Sequence, residues 1–145
     1  MAELQPEASR PRLDDSPGGS VTDVPRPSPE ERTILWWLTA VVLVVHVVGI
    51  YLPGSPDGSL ELPGVPGVDK LIHASLFGLP LYLLAVLTRR IWLWAGFFAA
   101  MAGISEVIQW RFIPYRDGDV WDAVADLVGI AIAVLLLLRR RSVTA

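Results

Sequence analysis

The sequence predicts an all-α membrane fold: a four-helix transmembrane bundle with both termini cytoplasmic and a disordered N-terminal tail. Three observations carry that prediction. Hydrophobic residues make up 52% of the 145 and are gathered into four blocks, a high share for a soluble chain of this length. Lysine and arginine are divided unequally between the segments that join the blocks. Tryptophan and tyrosine collect at the block ends, where amphipathic rings prefer headgroup depth.

Residues 1–33 hold six prolines, seven acidic residues and four arginines, with almost nothing to bury. Such a composition does not offset the entropy of ordering, so a disordered cytoplasmic tail is expected. The membrane domain runs over 34–141. Its first apolar block, 34–52, follows the polar tail and closes on no small-residue cleavage pattern, so it reads as a span and not as a signal peptide. Residues 53–68 contain four prolines and four glycines and read as an irregular loop. The second block, 71–88, is short against the roughly 20 residues that cross hydrocarbon, so its helix is expected to start near Asp69. Inside it, Pro80 cannot donate a hydrogen bond to the carbonyl of Leu76, and with Gly78 nearby a bend is expected. The third and fourth spans are 91–110 and 120–138.

Four spans put the tail, the turn at 88–91 and the C-terminus on one side. That side carries nine basic residues (Arg10, Arg12, Arg26, Arg32, Arg89, Arg90, Arg139, Arg140 and Arg141), against Lys70, Arg111 and Arg116 on the other. Nine against three places the termini in the cytoplasm. Trp36, Trp37, Trp92 and Trp94 then mark the inner interface, and Trp110, Trp121, Tyr51 and Tyr115 the outer one. The absence of cysteine excludes disulfides and thiolate metal sites. No nucleotide-binding loop or nucleic-acid signature is present, and no resident cofactor or nucleic-acid partner is expected.

With that topology, the unusual polar residues fall at the outer face. Asp69, Lys70 and His73 open the second span, Glu106 and Gln109 close the third, and Arg116, Asp119, Asp122 and Asp126 lie in the outer loop and the start of the fourth. Helical spacing decides which can converge. Asp69 and His73 are i,i+4 and Lys70 and His73 i,i+3, so the three share a face. Glu106 and Gln109 are i,i+3, with Gly103 one turn below. Asp122, Asp126, Gly129 and Ala133 form a stripe whose inner half is small, suited to close helix packing or to a second copy of the chain. Charge turned toward lipid is costly, so these faces should look inward and meet. His46 has nothing polar one turn away and reads as a packing histidine, and Arg139–Arg141 as an anchor against anionic headgroups.

In this ordered set, Asp69-Lys70-x-x-His73 with Phe77, Glu106-x-x-Gln109, Arg116 and Asp122-x-x-x-Asp126-x-x-Gly129, the chain resembles the VanZ-like family of small bacterial membrane proteins. The likeness covers about residues 69–130. It implies a multi-pass protein of the bacterial plasma membrane and cell envelope, in a family whose founding member is linked to teicoplanin resistance. The chain departs from the family at Asp126, where asparagine is common; a carboxylate adds charge and only accepts hydrogen bonds when ionised.

Three readings of the constellation stand side by side. In the structural one, the acidic residues pair with Lys70 and Arg116 and hold the helices together. In the binding one, the cluster takes a headgroup at the outer leaflet: membrane lipid, a lipid-linked envelope precursor or a lipoglycopeptide. Lys70 and Arg116 would then meet phosphate, and the carboxylates and Gln109 would meet hydroxyls or amides. In the enzymatic one, His73 with Asp69, Glu106, Asp122 and Asp126 binds a divalent ion for hydrolysis or transfer on a lipid-linked substrate, or His73 oriented by Asp69 acts as base with Glu106 as acid. The carboxylates lack a recognised metal spacing, so no resident metal is expected.

Overall fold

The computed structural model describes residues 27–53, 67–116 and 119–143. Most of the expected tail and of the loop after the first span lies outside these residues. Four helices follow one another: α1 (Pro29–Tyr51), α2 (Val68–Thr88), α3 (Ile91–Phe112) and α4 (Val120–Val143). All four are long and apolar enough to cross a membrane, and no strand occurs among the described residues. The protein is an all-α four-helix membrane bundle.

Caps, and not hydropathy, set the helix ends. α1 starts at Pro29 and not at residue 34, because Ser28 and Glu31 form a capping box. The Ser28 hydroxyl accepts from the Glu31 amide at 3.3 Å while the Glu31 carboxylate accepts from the Ser28 amide at 2.7 Å. Proline at the first helical position loses only an amide that would have had no helical partner. α2 begins at Val68, as its short apolar block required, and ends at Thr88; the Arg89 amide still reaches the Ala85 carbonyl at 2.8 Å, and the left-handed φ of 63° at Arg89 then turns the chain out of the helix. A turn of only two residues, Arg89 and Arg90, then reverses the chain into α3.

α2 is the central helix. Of its apolar window 56% is buried inside the molecule, against 17%, 22% and 33% for α1, α3 and α4. Lipid is as apolar as leucine, so burial of apolar side chains does not by itself draw spans together; close backbone approach does. α2 and α4 achieve it through small residues. A side chain at Gly129 would overlap the Ala74 carbonyl, and one at Gly78 would come within 2.8 Å of the Gly129 carbonyl oxygen. Ala133 is 3% exposed in the same seam. The stripe that could have met a second copy is therefore closed within the molecule.

Phe77, Leu81, Phe98 and Leu137 form the core with Ile50 of α1. Pro80 sits in this layer without interrupting α2. The Leu76 carbonyl, which Pro80 cannot serve, accepts instead from Nδ1–H of His46 at 2.7 Å. A neighbouring helix thus replaces the missing backbone donor, which is how membrane helices tolerate proline. The His46 ring packs edge-on to Phe77 and Phe98, with centroids at 5.0 and 5.4 Å.

The outward surface suits hydrocarbon. Val41, Val44, Val48, Leu93, Val107, Val128 and Leu135 all face out. Trp36, Trp37 and Trp92 are exposed at one end, and Trp110, Trp121 and Tyr115 at the other. Trp94 differs from its neighbours: it is half-buried and donates to the Thr88 hydroxyl at 2.7 Å, tying α3 to the end of α2.

Candidate functional site

The start of α2, the end of α3 and the start of α4 meet at one end of the bundle, and all nine polar residues singled out above are there. They divide into two groups.

The larger group centres on Lys70 and His73. The Lys70 ammonium contacts three carboxylates: Asp69 at 3.1 Å, Asp119 at 2.6 Å and Asp122 at 2.5 Å. One turn deeper, His73 donates through Nδ1–H to Asp126 Oδ1 at 3.1 Å, and its Nε2 lies 3.6 Å from Asp122 Oδ2, beyond hydrogen-bond reach. Asp126 is fully buried and His73 nearly so. Asp122 therefore sits between the two bases, one oxygen toward each.

Glu106 joins this group through the backbone. Its Oε2 accepts from the amide of Asp119 at 3.0 Å. Asp119 is the N-cap of α4: its carbonyl starts the helix by accepting from Asp122 and Ala123, and its carboxylate accepts from the Trp121 amide at 2.9 Å. Glu106 does for that cap what the fourth residue of a capping box would do, but from another helix. Lys70 and the Trp121 amide together hold the Asp119 carboxyl below the usual carboxylate range.

The second group is Arg116, Gln109 and α1. The Arg116 guanidinium donates to Gln109 Oε1 and to the carbonyl of Gly49, each at 3.1 Å. Gly49 lies in the last turn of α1, where carbonyls lack helical donors and no basic residue of α1 is present. Arg116 supplies both the hydrogen bond and the positive charge that such an end favours.

Three expectations are corrected by this geometry. Asp69 does not orient His73; it is exposed and meets only Lys70, while Asp126 holds the imidazole. An i,i+4 spacing fixes a shared face, but Asp69 belongs to the exposed first turn, and a short side chain there meets its neighbour first. Arg116 pairs no carboxylate among the described residues; its hydrogen bonds go to Gln109 and to the α1 terminus. Gly103 does not continue the polar face; it is exposed with open space around it. The buried line of α3 runs Phe98, Ala102, Ser105 and Gln109, so Glu106 flanks that line and Gly103 lies beyond it.

Sequence reasoning missed His46 as the donor to Leu76 and Gly49 as the acceptor of Arg116. The first had a signal, since Pro80 leaves Leu76 in need of a donor. The second had none, because any of several carbonyls at the end of α1 could have accepted.

Five carboxylates face one lysine and one histidine in the larger group, so this end is acidic. Among the described residues, three buried polar atoms are left without partners: Glu106 Oε1, Gln109 Nε2 and Asp126 Oδ2. A closed structural cluster would pair such atoms, because each costs about 1–3 kcal/mol when orphaned. Fold and site together define a four-span integral membrane protein with a polar, acidic end. Comparison with protein-family models, curated proteins and solved structures gives no match, so function is read from this geometry.

Proposed function

We propose that the chain is a VanZ-like multi-pass protein of the bacterial plasma membrane that takes the polar part of an amphiphile into the end built by Lys70, His73, Glu106, Gln109 and Asp126. The basic-residue bias puts that end at the outer leaflet. The carrying observation is the set of buried atoms without partners among the described residues, two acceptors and one amide donor, in a cluster whose other groups are hydrogen-bonded or ion-paired. The Lys70 ammonium already meets three carboxylates, so a bare phosphate is poorly served there. Carboxylate oxygens and an amide suit hydroxyl, amide and ammonium groups. That is the chemistry of the sugar and peptide portion of a lipid-linked envelope precursor, or of a lipoglycopeptide of the teicoplanin type.

The test is native mass spectrometry of the chain purified from a bacterial membrane, beside Glu106→Gln. Retained amphiphile on the parent chain and its loss from a variant that melts at the same temperature support the reading. If retention is identical in both, the site is not where the amphiphile binds. If melting and retention fall in proportion, the cluster is structural.

A further inference from the structure

Each of His73, Glu106 and Asp122 has one polar atom committed and one to spare. His73 gives Nδ1–H to Asp126. Glu106 gives Oε2 to the Asp119 amide. Asp122 gives Oδ1 to Lys70. That leaves Nε2, Oε1 and Oδ2, of which Glu106 Oε1 is buried without a partner among the described residues and His73 Nε2 lies 3.6 Å from Asp122 Oδ2. One ligand atom from each of the three residues lies within 4.8 Å of the others. The three come from three different helices, α2, α3 and α4.

We propose that His73, Glu106 and Asp122 bind a first-row divalent cation such as Zn²⁺ or Mn²⁺, with Asp126 as the positioning residue. The inference rests on reading this end as the ligand-binding end. A nitrogen and two carboxylate oxygens suit Zn²⁺ or Mn²⁺, whereas Ca²⁺ prefers a shell of oxygens. Bonds of about 2.0–2.2 Å put three donors on one ion at most about 3.8 Å from one another, so a trio lying within 4.8 Å closes by about an ångström at most in taking up an ion. The fully buried Asp126 fixes the imidazole with its proton on Nδ1 and its lone pair on Nε2, the carboxylate–histidine–metal arrangement. The Asp119 amide and Lys70 play the same part for Glu106 and Asp122. Three protein ligands leave coordination positions open. A divalent charge there changes what the acidic end attracts: oxygen ligands of a headgroup, phosphate included, become acceptable partners.

The experiment uses the full chain in nanodiscs, free of any polyhistidine tag and stripped with chelator. It is titrated with Zn²⁺, Mn²⁺ or Ca²⁺ alone. Saturable binding of one Zn²⁺ per chain is expected, with Ca²⁺ at least about tenfold weaker. Glu106→Gln and Asp122→Asn should each weaken Zn²⁺ at least about tenfold, and Asp126→Asn by about 10–100-fold, as loss of an outer partner does. X-ray absorption on the Zn²⁺-loaded parent chain should show one imidazole among oxygen ligands, a readout that survives even if the variants do not fold. Unsaturable binding, undiminished affinity in Glu106→Gln, or a spectrum without imidazole overturns the proposal. Zn²⁺ binding with no retained amphiphile sinks only the amphiphile reading; an amphiphile retained by a chain that binds no ion sinks only this one.

Discussion

The chain has two histidines, both buried, and their surroundings divide the molecule. His46 lies mid-bundle between two phenylalanine rings and donates to one backbone carbonyl. His73 lies at the polar end among carboxylates from α3 and α4. The first is a repair: it serves an acceptor that Pro80 exposed, and no atom of the two helices it joins there is among the buried ones without partners in the described residues. The second is open: after its bond to Asp126, polar atoms around it still lack partners. Burial alone thus says little about a polar residue in a membrane helix. The remainder after its bonds are counted says more.

The largest expected effect breaks the polar side of that comparison. Asp126→Ala should cost about 3–5 kcal/mol, because it strands a buried histidine among the remaining carboxylates. Asp126→Asn keeps an oxygen for Nδ1–H and should cost about 1 kcal/mol or less. Thermal unfolding in a fixed detergent measures both, and equal losses would mean that charge, and not the hydrogen bond, holds His73.

Next in size is the mid-bundle repair. His46→Phe keeps the ring contacts but orphans the Leu76 carbonyl, at about 1–3 kcal/mol. In a Pro80→Ala background the backbone amide returns to Leu76 and the same change should cost about 1 kcal/mol less. A double-mutant cycle reads that coupling directly. Additive effects would show that Pro80 and His46 are unrelated.

A smaller effect sharpens the contrast between the helix ends. Arg116→Gln should lose about 1–2 kcal/mol, from the hydrogen bond and the charge at the α1 terminus. Hydrogen exchange should localise the loss to the last turn of α1, and a uniform loss across the bundle would count against that assignment.

Asp119 gives the smallest effect, through pH. Its carboxyl is held below the usual carboxylate range in the folded chain. Its contribution is therefore full above the unfolded value near 4 and fades as pH falls through the lower folded value. Asp119→Asn should flatten the acid limb of a melting-temperature profile between those two values. An unchanged limb would assign the acid sensitivity elsewhere.

Much of this was legible in the sequence, and the failures have physical causes. Span number and position follow from apolar length, which the bilayer fixes, and α3 and α4 begin at the residues expected. Boundaries at 29 and 112 moved because caps and solvent-side turns extend a helix beyond its apolar block. Charge avoidance of lipid was enough to bring nine polar residues to one end. It could not say which acid meets which base, since that depends on helix rotation and on short side chains such as Asp69. Partners that are backbone atoms, as for Arg116, His46 and Glu106, leave no mark in residue types.

The seam of Ala74, Gly78 and Gly129 has a consequence for how the molecule is made. It joins the second helix to the fourth, so the pairing waits until the last span has been synthesised and inserted. At about 5–20 residues per second that is a delay on the order of several seconds. During it Lys70 and His73 have no carboxylates from α4, and α2 shows lipid the groove that Gly129 will later fill. Any translocon or chaperone contact that shields α2 in that interval acts on a half-built cluster, and a stop codon in the first turns of α4, before Asp126, removes the cluster's buried carboxylate and the seam together.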